Sequence, residues 1–235
     1  MPPVRCTIYW ETIKFNRKVL NLRLDNRTLS SLVLRGVRVI HIYHREIDEV
    51  WYATAVENES VFATAFSFSE RGVLRRLLEN LPYNMPFQMA EKSSPLSTEL
   101  LNTLKTIFNG KDVSFSFQLA LDHLPSYTRG VLRCVSLIPV GYVTTYGAIA
   151  KTLGGSSRAV GRAMATNPFP LLIPCHRVVK TLRNQICTVG GYSLGADVKL
   201  GLLRREDRGY TKPIEVVVGG RALLLYPVRF LKELS

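Results

Sequence analysis

The sequence predicts an α+β protein in which a small α/β N-terminal part is followed by a mainly helical second part. Three observations point that way. Runs rich in β-branched and aromatic residues, Val50 to Ala55 and Val61 to Phe68, fall early in the chain and read as strands. Helical stripes with recognisable caps and stops dominate later. Between them lies a connector around Asp122 to Pro125. The domain expectation is 1–120, 121–208, and a C-terminal extension over 209–235.

In the first part, Val4 to Ile13 and Asn21 to Leu34 mix β-branched and basic residues without a clean period. The two strands flank a polar turn, Glu57-Asn58-Glu59-Ser60. Gly72 to Asn80 reads as a helix with Val73, Leu74, Leu77 and Leu78 on one stripe, broken by Pro82 and Pro86. Ser97 to Asn109 reads as a second helix, capped by Ser97 and stopped by Gly110. Asp112 to Leu119 alternates as an edge or half-buried strand would. Nothing in this part reads as catalytic.

In the second part, Ser126 to Leu137 is a helix with Val131, Leu132, Val135 and Ile138 apolar, ending at Pro139. Thr145 to Leu153 is a short helix capped by Thr144 or Thr145 and stopped by Gly154-Gly155. Ser156 caps a further helix through Ala165. Two short helices joined by a glycine turn have the helix-turn-helix outline, although an ordinary helical hairpin has the same one. The second of them carries Ser157, Arg158, Ala159, Gly161, Arg162, Ala163 and Ala165, and is almost bare of bulk. A glycine in mid-helix costs about 1 kcal/mol relative to alanine, so close packing is expected there, against another helix or against DNA. Ile214 to Val218, Gly219-Gly220 and Arg221 to Tyr226 read as a β-hairpin with a tight turn.

Composition bounds the function. The 235 residues carry a net charge of +13, which favours a polyanionic partner, nucleic acid foremost. No apolar run reaches the roughly 18 residues of a membrane span, and the N-terminus lacks the apolar core of a secretory signal. Four cysteines, Cys6, Cys134, Cys175 and Cys187, are too few for a disulfide scaffold in a chain this long. The expected compartment is intracellular and reducing.

The chemistry-bearing stretch runs from Asn167 to Val179. Its three prolines, Pro168, Pro170 and Pro174, exclude helix and suit an irregular extended segment. That segment delivers Cys175, followed at once by His176 and Arg177. A cysteine becomes a nucleophile when nearby positive charge or a base stabilises its thiolate. On an extended chain neighbouring side chains point apart, so His176 would reach Cys175 through a bend or a bridging water. A buried structural cysteine is the plain alternative.

Ile173-Pro174-Cys175-His176-Arg177-Val178 resembles the acceptor motif of the O6-alkylguanine-DNA alkyltransferases, the methylated-DNA–protein-cysteine methyltransferases. Val140 to Gly147 resembles the family's approach to its helix-turn-helix, Ser157 to Met164 its recognition helix, and Asn167-Pro168 its hinge. Gly190-Gly191-Tyr192-Ser193 and Lys199 to Glu206 resemble its binding loop and final helix, and Ser126 to Arg129 the start of its C-terminal domain. The resemblance spans about Leu121 to Glu206. It departs at both ends and at Leu194, where the family often has glycine. Residues 1–40 read as extra structure or as an upstream start codon.

The resemblance implies a ribonuclease-H-like first domain and direct-reversal repair of duplex DNA by a monomer, in the cytoplasm with the nucleoid, or in a nucleus. Cys175 would take the alkyl group from O6-alkylguanine, with O4-alkylthymine as a further substrate, and keep it, so that each molecule acts once without a cofactor. His176 would remove the thiol proton through a water and Glu206 would orient the histidine. Tyr146 would donate to the departing guanine, and Asn167 would brace the acceptor segment. Arg158 would enter the base stack of the flipped nucleotide, with Ser157, Ala159, Arg162 and Tyr146 at the DNA. Met164, Pro170, Val178, Val189, Tyr192 and Ser193 would line the guanine pocket. Some family members bind zinc in the first domain. The ligand types available here, Cys6, His41, His44 and His123, match no compact zinc spacing, so no metal is expected. Two other classes remain open: a DNA-binding sensor or regulator without chemistry, and a cysteine hydrolase using a Cys-His-Glu triad.

Overall fold

The computed structural model describes residues 38–83, 85–181 and 187–231. The irregular stretches Val4 to Ile13 and Asn21 to Leu34, together with Cys6, lie outside the described residues, as does almost all of the N-terminal surplus. The architecture is mixed α+β, with two five-stranded sheets and six α-helices among the described residues.

In the first sheet β1 (Ile40–Ile47), β2 (Val50–Glu57) and β3 (Ser60–Ser67) form an antiparallel meander. The short β4 (Phe87–Met89) and β5 (Gln118–Leu119) add parallel strands beside β1 and β3, giving the order β4-β1-β2-β3-β5. Side chains alternate across a strand, and β2 and β3 use the alternation to sort by size. Ala53, Ala55, Ala63 and Ala65 cluster with Val73, Leu74 and Leu77 of helix α1 (Glu70–Glu79). Tyr52, Val56, Val61 and Phe66 belong to the cluster of helix α2 (Pro95–Phe108) with Leu100, Leu101 and Leu104. Both sheet faces are therefore covered.

Four sequence expectations shift here. Helix α1 starts two residues earlier than expected, because Ser69 accepts from Gly72 N. Helix α2 starts at Pro95 with Ser94 as the cap, accepting from Ser97 N, and Ser97 itself is buried inside the helix. Proline at the first helical position lacks only a donor that would be unpaired anyway. Of Asp112 to Leu119, only Gln118–Leu119 pairs with a strand, and Phe115 and Phe117 stack on each other instead. Strand β1 was not anticipated. It turns into β2 through Asp48 and Glu49, both at positive φ, a turn backbone that usually announces itself as Asn-Gly.

The second sheet takes the order β8-β7-β6-β10-β9, from β6 (Tyr142–Thr145), β7 (Val178–Thr181), β8 (Cys187–Thr188), β9 (Ile214–Val218) and β10 (Arg221–Pro227). This part was expected to be mainly helical. Helices do supply more residues, but the sheet carries them. Helices α3 (Ser126–Ser136), α4 (Tyr146–Leu153), α5 (Ser157–Ala165) and α6 (Ala196–Glu206) complete it. Thr145 caps α4 by accepting from Ala148 N, and Ser156 caps α5 by accepting from Ala159 N. Strand β10 pairs with β6, and Thr144 and Thr152 donate to the carbonyls of Leu224 and Ala222. The C-terminal hairpin is thus part of the sheet beneath the site. Among the described residues no helix is long and apolar enough to cross a membrane.

Among the contacts that join the two halves, two stand out. Thr64, in the middle of β3, donates its N–H to Pro168 O at 2.8 Å and its hydroxyl to Pro170 O at 3.2 Å. On the other side, Arg205 of α6 lies over the Phe108 ring, 4.5 Å from its centroid, and Arg208 donates to Gly110 O. Gly110 has φ +74°, and a Cβ there would lie 2.3 Å from Arg205 O, a backbone atom that cannot step aside. Gly110→Ala should therefore cost about 2–3 kcal/mol of stability, read as a lowered midpoint in urea unfolding.

Candidate active site

The acceptor segment is a turn locked from inside. The Asn167 amide donates to Ile173 O at 3.0 Å and its carbonyl oxygen accepts from Phe169 N at 3.0 Å. Ile173 N closes on Phe169 O at 2.8 Å, and Leu171 between them takes φ +72°, a strained conformation for a branched residue. The chain then enters a 3-10 turn, Cys175–Arg177, closed by Arg177 N on Pro174 O. The extended geometry expected around Cys175 is thus replaced by a tight turn.

That turn faces a buried carboxylate. His176 Nε2 lies 2.9 Å from Glu206 Oε1, and Arg177 grips the same carboxylate through Nε and Nη2 at 2.9 Å each. Arg177 also donates through Nη1 to Ile138 O, at the end of α3. Glu206 is 1% exposed, so the ordinary reading of a glutamate among Arg204, Arg205 and Arg208 as a solvated ion pair does not hold. Helix α6 puts Lys199, Leu202, Leu203 and Glu206 on one buried stripe, at i, i+3, i+4 and i+7. That stripe was the available signal for the burial of Lys199, which the sequence reading named only as the start of the final-helix motif, as it named Arg177 only beside Cys175.

Lys199 is fully buried. Its ammonium donates to Val178 O at 2.6 Å and sits 5.9 Å from the centroid of the Tyr146 ring. Burial lowers its pKa to about 8, against the pull of the Cys175 sulfur. Burial raises the Cys175 thiol, and hydrogen bonds from Asn167 and Tyr192 and the Lys199 charge oppose that rise. Burial lowers His176 despite Glu206 beside it. Burial alone would raise Glu206, but His176 and Arg177 carry it down to about 2. Burial, then Cys175, raises Tyr146 and Tyr192, so both hydroxyls are protonated donors at neutral pH. The resting site holds a thiol, a neutral imidazole and an ionised carboxylate. With Nε2–H given to Glu206, His176 Nδ1 carries the lone pair, and this buried atom has no partner among the described residues. A base whose free nitrogen is oriented by a carboxylate can take a proton from a nearby acid.

Cys175, His176, Glu206, Asn167, Tyr146 and Tyr192 are thus brought into one neighbourhood. Met164 is buried in the same apolar cluster as Cys175, and Pro170 is half-buried with its carbonyl taken by Thr64. Val178 is buried and its carbonyl is taken by Lys199, while Val189 packs in a separate cluster with Val143, Val179 and Leu203. Ser193 is exposed. Ser157, Arg158 and Arg162 are exposed on α5, apart from the buried site, and Ala159 is half-buried. A Cβ on Gly161 would meet nothing within 4 Å, so the close packing expected there is not supplied by the described residues. His41 bonds Gln88, His44 bonds Glu70, and His123 stacks on Phe62. No group of three or more His, Cys, Asp or Glu able to hold a metal occurs among the described residues.

The family model of the 6-O-methylguanine DNA methyltransferase DNA-binding domain matches residues 126–208. Among curated relatives, the methylated-DNA–protein-cysteine methyltransferase of Archaeoglobus fulgidus is 40% identical over 119 residues, covering 48% of this chain and 77% of that one. The protein of the same name from Methanothermobacter thermautotrophicus is 38% identical over 118 residues, covering 49% of this chain and 65% of that one. That from Methanocaldococcus jannaschii is 51% identical over 83 residues, covering 35% of this chain. The match spans only 47% of the Methanocaldococcus protein's own length. The crystal structure of the O6-methylguanine-DNA methyltransferase of Pyrococcus kodakaraensis superposes with a TM-score of 0.55 at 28% identity, over 71% of this chain and 98% of that one. Mycobacterium tuberculosis OGT in complex with DNA shares the fold at 22% identity and a TM-score of 0.53, over 71% of this chain and 92% of that one. The fold is shared with solved O6-methylguanine-DNA methyltransferases. Within it, the chain belongs to the methylated-DNA–protein-cysteine methyltransferase family, as the resemblance implied.

The charge pattern sets an acid limit. His176 titrates below its ordinary 6.5 and Glu206 at about 2 against an ordinary 4.5, so between those values the unfolded chain binds protons that the folded one does not. Stability from these groups is complete above pH 6.5 and falls on acidification, with a second loss from 4.5 towards 2. Glu206→Gln should flatten that second loss in a series of melting curves against pH, and should cost about 3–5 kcal/mol at neutral pH by leaving Arg177 buried and unpaired.

Proposed function

We propose that the protein is a direct-reversal DNA-repair alkyltransferase that moves the alkyl group of O6-alkylguanine onto Cys175. The observation that carries this reading is the Cys175 sulfur, buried among Asn167, Tyr192 and Lys199, beside a neutral His176 whose Nδ1 is free of any partner among the described residues. The thiol proton passes through one water to Nδ1, and the imidazolium that forms rests on the Glu206 carboxylate. The thiolate attacks the alkyl carbon: the S–C bond forms as the C–O6 bond breaks, and the electron pair leaves on guanine, which Tyr146 steadies as a hydrogen-bond donor. The product is a thioether with no leaving group, so each molecule reacts once. No step calls for a cofactor. O4-alkylthymine is the further substrate this chemistry admits.

Access to DNA rests on α4 and α5, which we read as a helix-turn-helix. Thr145 and Ser156 cap the two helices, and Gly154 and Gly155 turn the chain between them at positive φ. On this reading the bare face of α5, open at Gly161, would let its backbone approach a minor groove, and the exposed Arg158 would fill the stack that a flipped base leaves. The N-terminal sheet we read as ribonuclease-H-like, on the β1–β3 meander with β4 parallel beside β1. The working unit is a monomer acting on duplex DNA, in the cytoplasm with the nucleoid, or in a nucleus.

The test is duplex DNA carrying O6-[methyl-labelled]guanine, followed by peptide mass spectrometry. Label on Cys175, at no more than one per molecule, is the expected result. Label left on tightly bound DNA would mean a sensor, and repeated turnover would mean hydrolase-type chemistry. Arg158→Ala should slow repair of duplex by about tenfold or more, since flipping costs a few kcal/mol that the arginine offsets, while reaction with free O6-benzylguanine stays near the unmodified rate. Equal losses on both substrates would remove Arg158 from the flipping step.

A further inference from the structure

We infer that Arg76, on α1 of the N-terminal half, is a positioning residue for the guanine pocket: it holds from across the molecule the loop that carries Tyr192 and Ser193. The inference rests on the alkyl-transfer reading of Cys175 and deepens it, adding to the Thr64 bond to Pro170 O a second contact from the N-terminal half to that pocket's parts.

Arg76 Nη2 donates to Ser193 O at 2.9 Å, linking positions 117 residues apart. The loop has little of its own to fix it. Between β8 and α6 there is no helix or strand, and Gly190 and Gly195 take φ +71° and +102°. Its closures include Gly195 N on Tyr192 O at 3.0 Å, Lys199 N on Gly195 O at 3.3 Å and a long 3.5 Å bond from the Lys199 ammonium to Gly191 O. Arg76 lies at the rim of the buried face of α1, one turn from Val73 and beside Leu77, so the helix packing fixes where its guanidinium starts. Its Nε–H is buried with no partner among the described residues. The Arg76 charge also acts on Tyr192, whose hydroxyl bonds the Cys175 sulfur. One line of contacts therefore runs from α1 through the loop to the nucleophile.

The guanidinium donates in a fixed planar fork, which an ammonium matches only in charge and in one bond. Arg76→Ala should raise the O6-benzylguanine concentration giving half-maximal reaction by about tenfold, the effect of losing a charge-assisted hydrogen bond. Alkylation of Cys175 by iodoacetamide needs no guanine pocket. Followed by peptide mass spectrometry, it should change by less than about twofold in the same variant. Arg76→Lys should recover most of the benzylguanine reaction. Amide hydrogen exchange over residues 190–195 should quicken in Arg76→Ala and return towards normal in Arg76→Lys. Unchanged exchange in that loop overturns the inference. So does parallel loss of both reagents with no recovery by lysine, which would mean general damage to the site. If the unmodified protein fails with benzylguanine while exchange still responds to Arg76, the alkyl-transfer reading falls and the loop-holding role stands.

Discussion

The site depends on one carboxylate taken out of water. Isolated in the interior, Glu206 would be costly to keep ionised. It is kept so by a two-pronged grip from Arg177 and a bond to His176, and the same arginine reaches on to the end of α3. Three segments distant in sequence (α3, the acceptor turn and α6) are thereby fixed by a single charge. The carboxylate also chooses the histidine tautomer, because Nε2 must carry the proton that faces it. Structural cohesion and chemical readiness therefore come from the same contacts.

The two buried cysteines of the described chain show what distinguishes a reactive thiol. Cys134 sits in the α3 core, and burial alone pushes its thiol to about 11. Burial raises Cys175 too, but Asn167, Lys199 and Tyr192 pull the other way. Thiolate character sets reactivity, so the groups around Cys175 favour its thiolate as none does among the described residues around Cys134, which fits the nucleophile's role proposed for it. Their immediate sequence surroundings, Arg133-Cys134-Val135 and Pro174-Cys175-His176, hint at this difference without establishing it.

What the sequence made legible was local. The caps Thr145 and Ser156, the glycine turn after α4 and the prolines around the acceptor all act within a few residues, and their chemistry can be read in order. The motifs around Cys175 named the family before any geometry was known. What stayed hidden was set by distant partners. The polar Asp48-Glu49 turn gives no usual hairpin signal, and β1 is held by β2 and β4 rather than by its own pattern. Lys199 and Glu206 look like surface charges until a helix places them on the face of Leu202 and Leu203. Arg76 lies in a part of the chain with no chemical motif at all, and only folding carries it to Ser193.

The bond from the Thr64 main chain to Pro168 has a bearing on descent. A brace made from a peptide N–H and a peptide C=O is indifferent to which side chain occupies position 64, apart from the auxiliary hydroxyl bond to Pro170. Substitutions could accumulate along β3 while the acceptor segment keeps its support. Recognisable kinship concentrates in the second half of the chain, whereas likeness of fold reaches well beyond it. A buttress written in backbone is one route by which a domain can lose its ancestral spelling and retain its place.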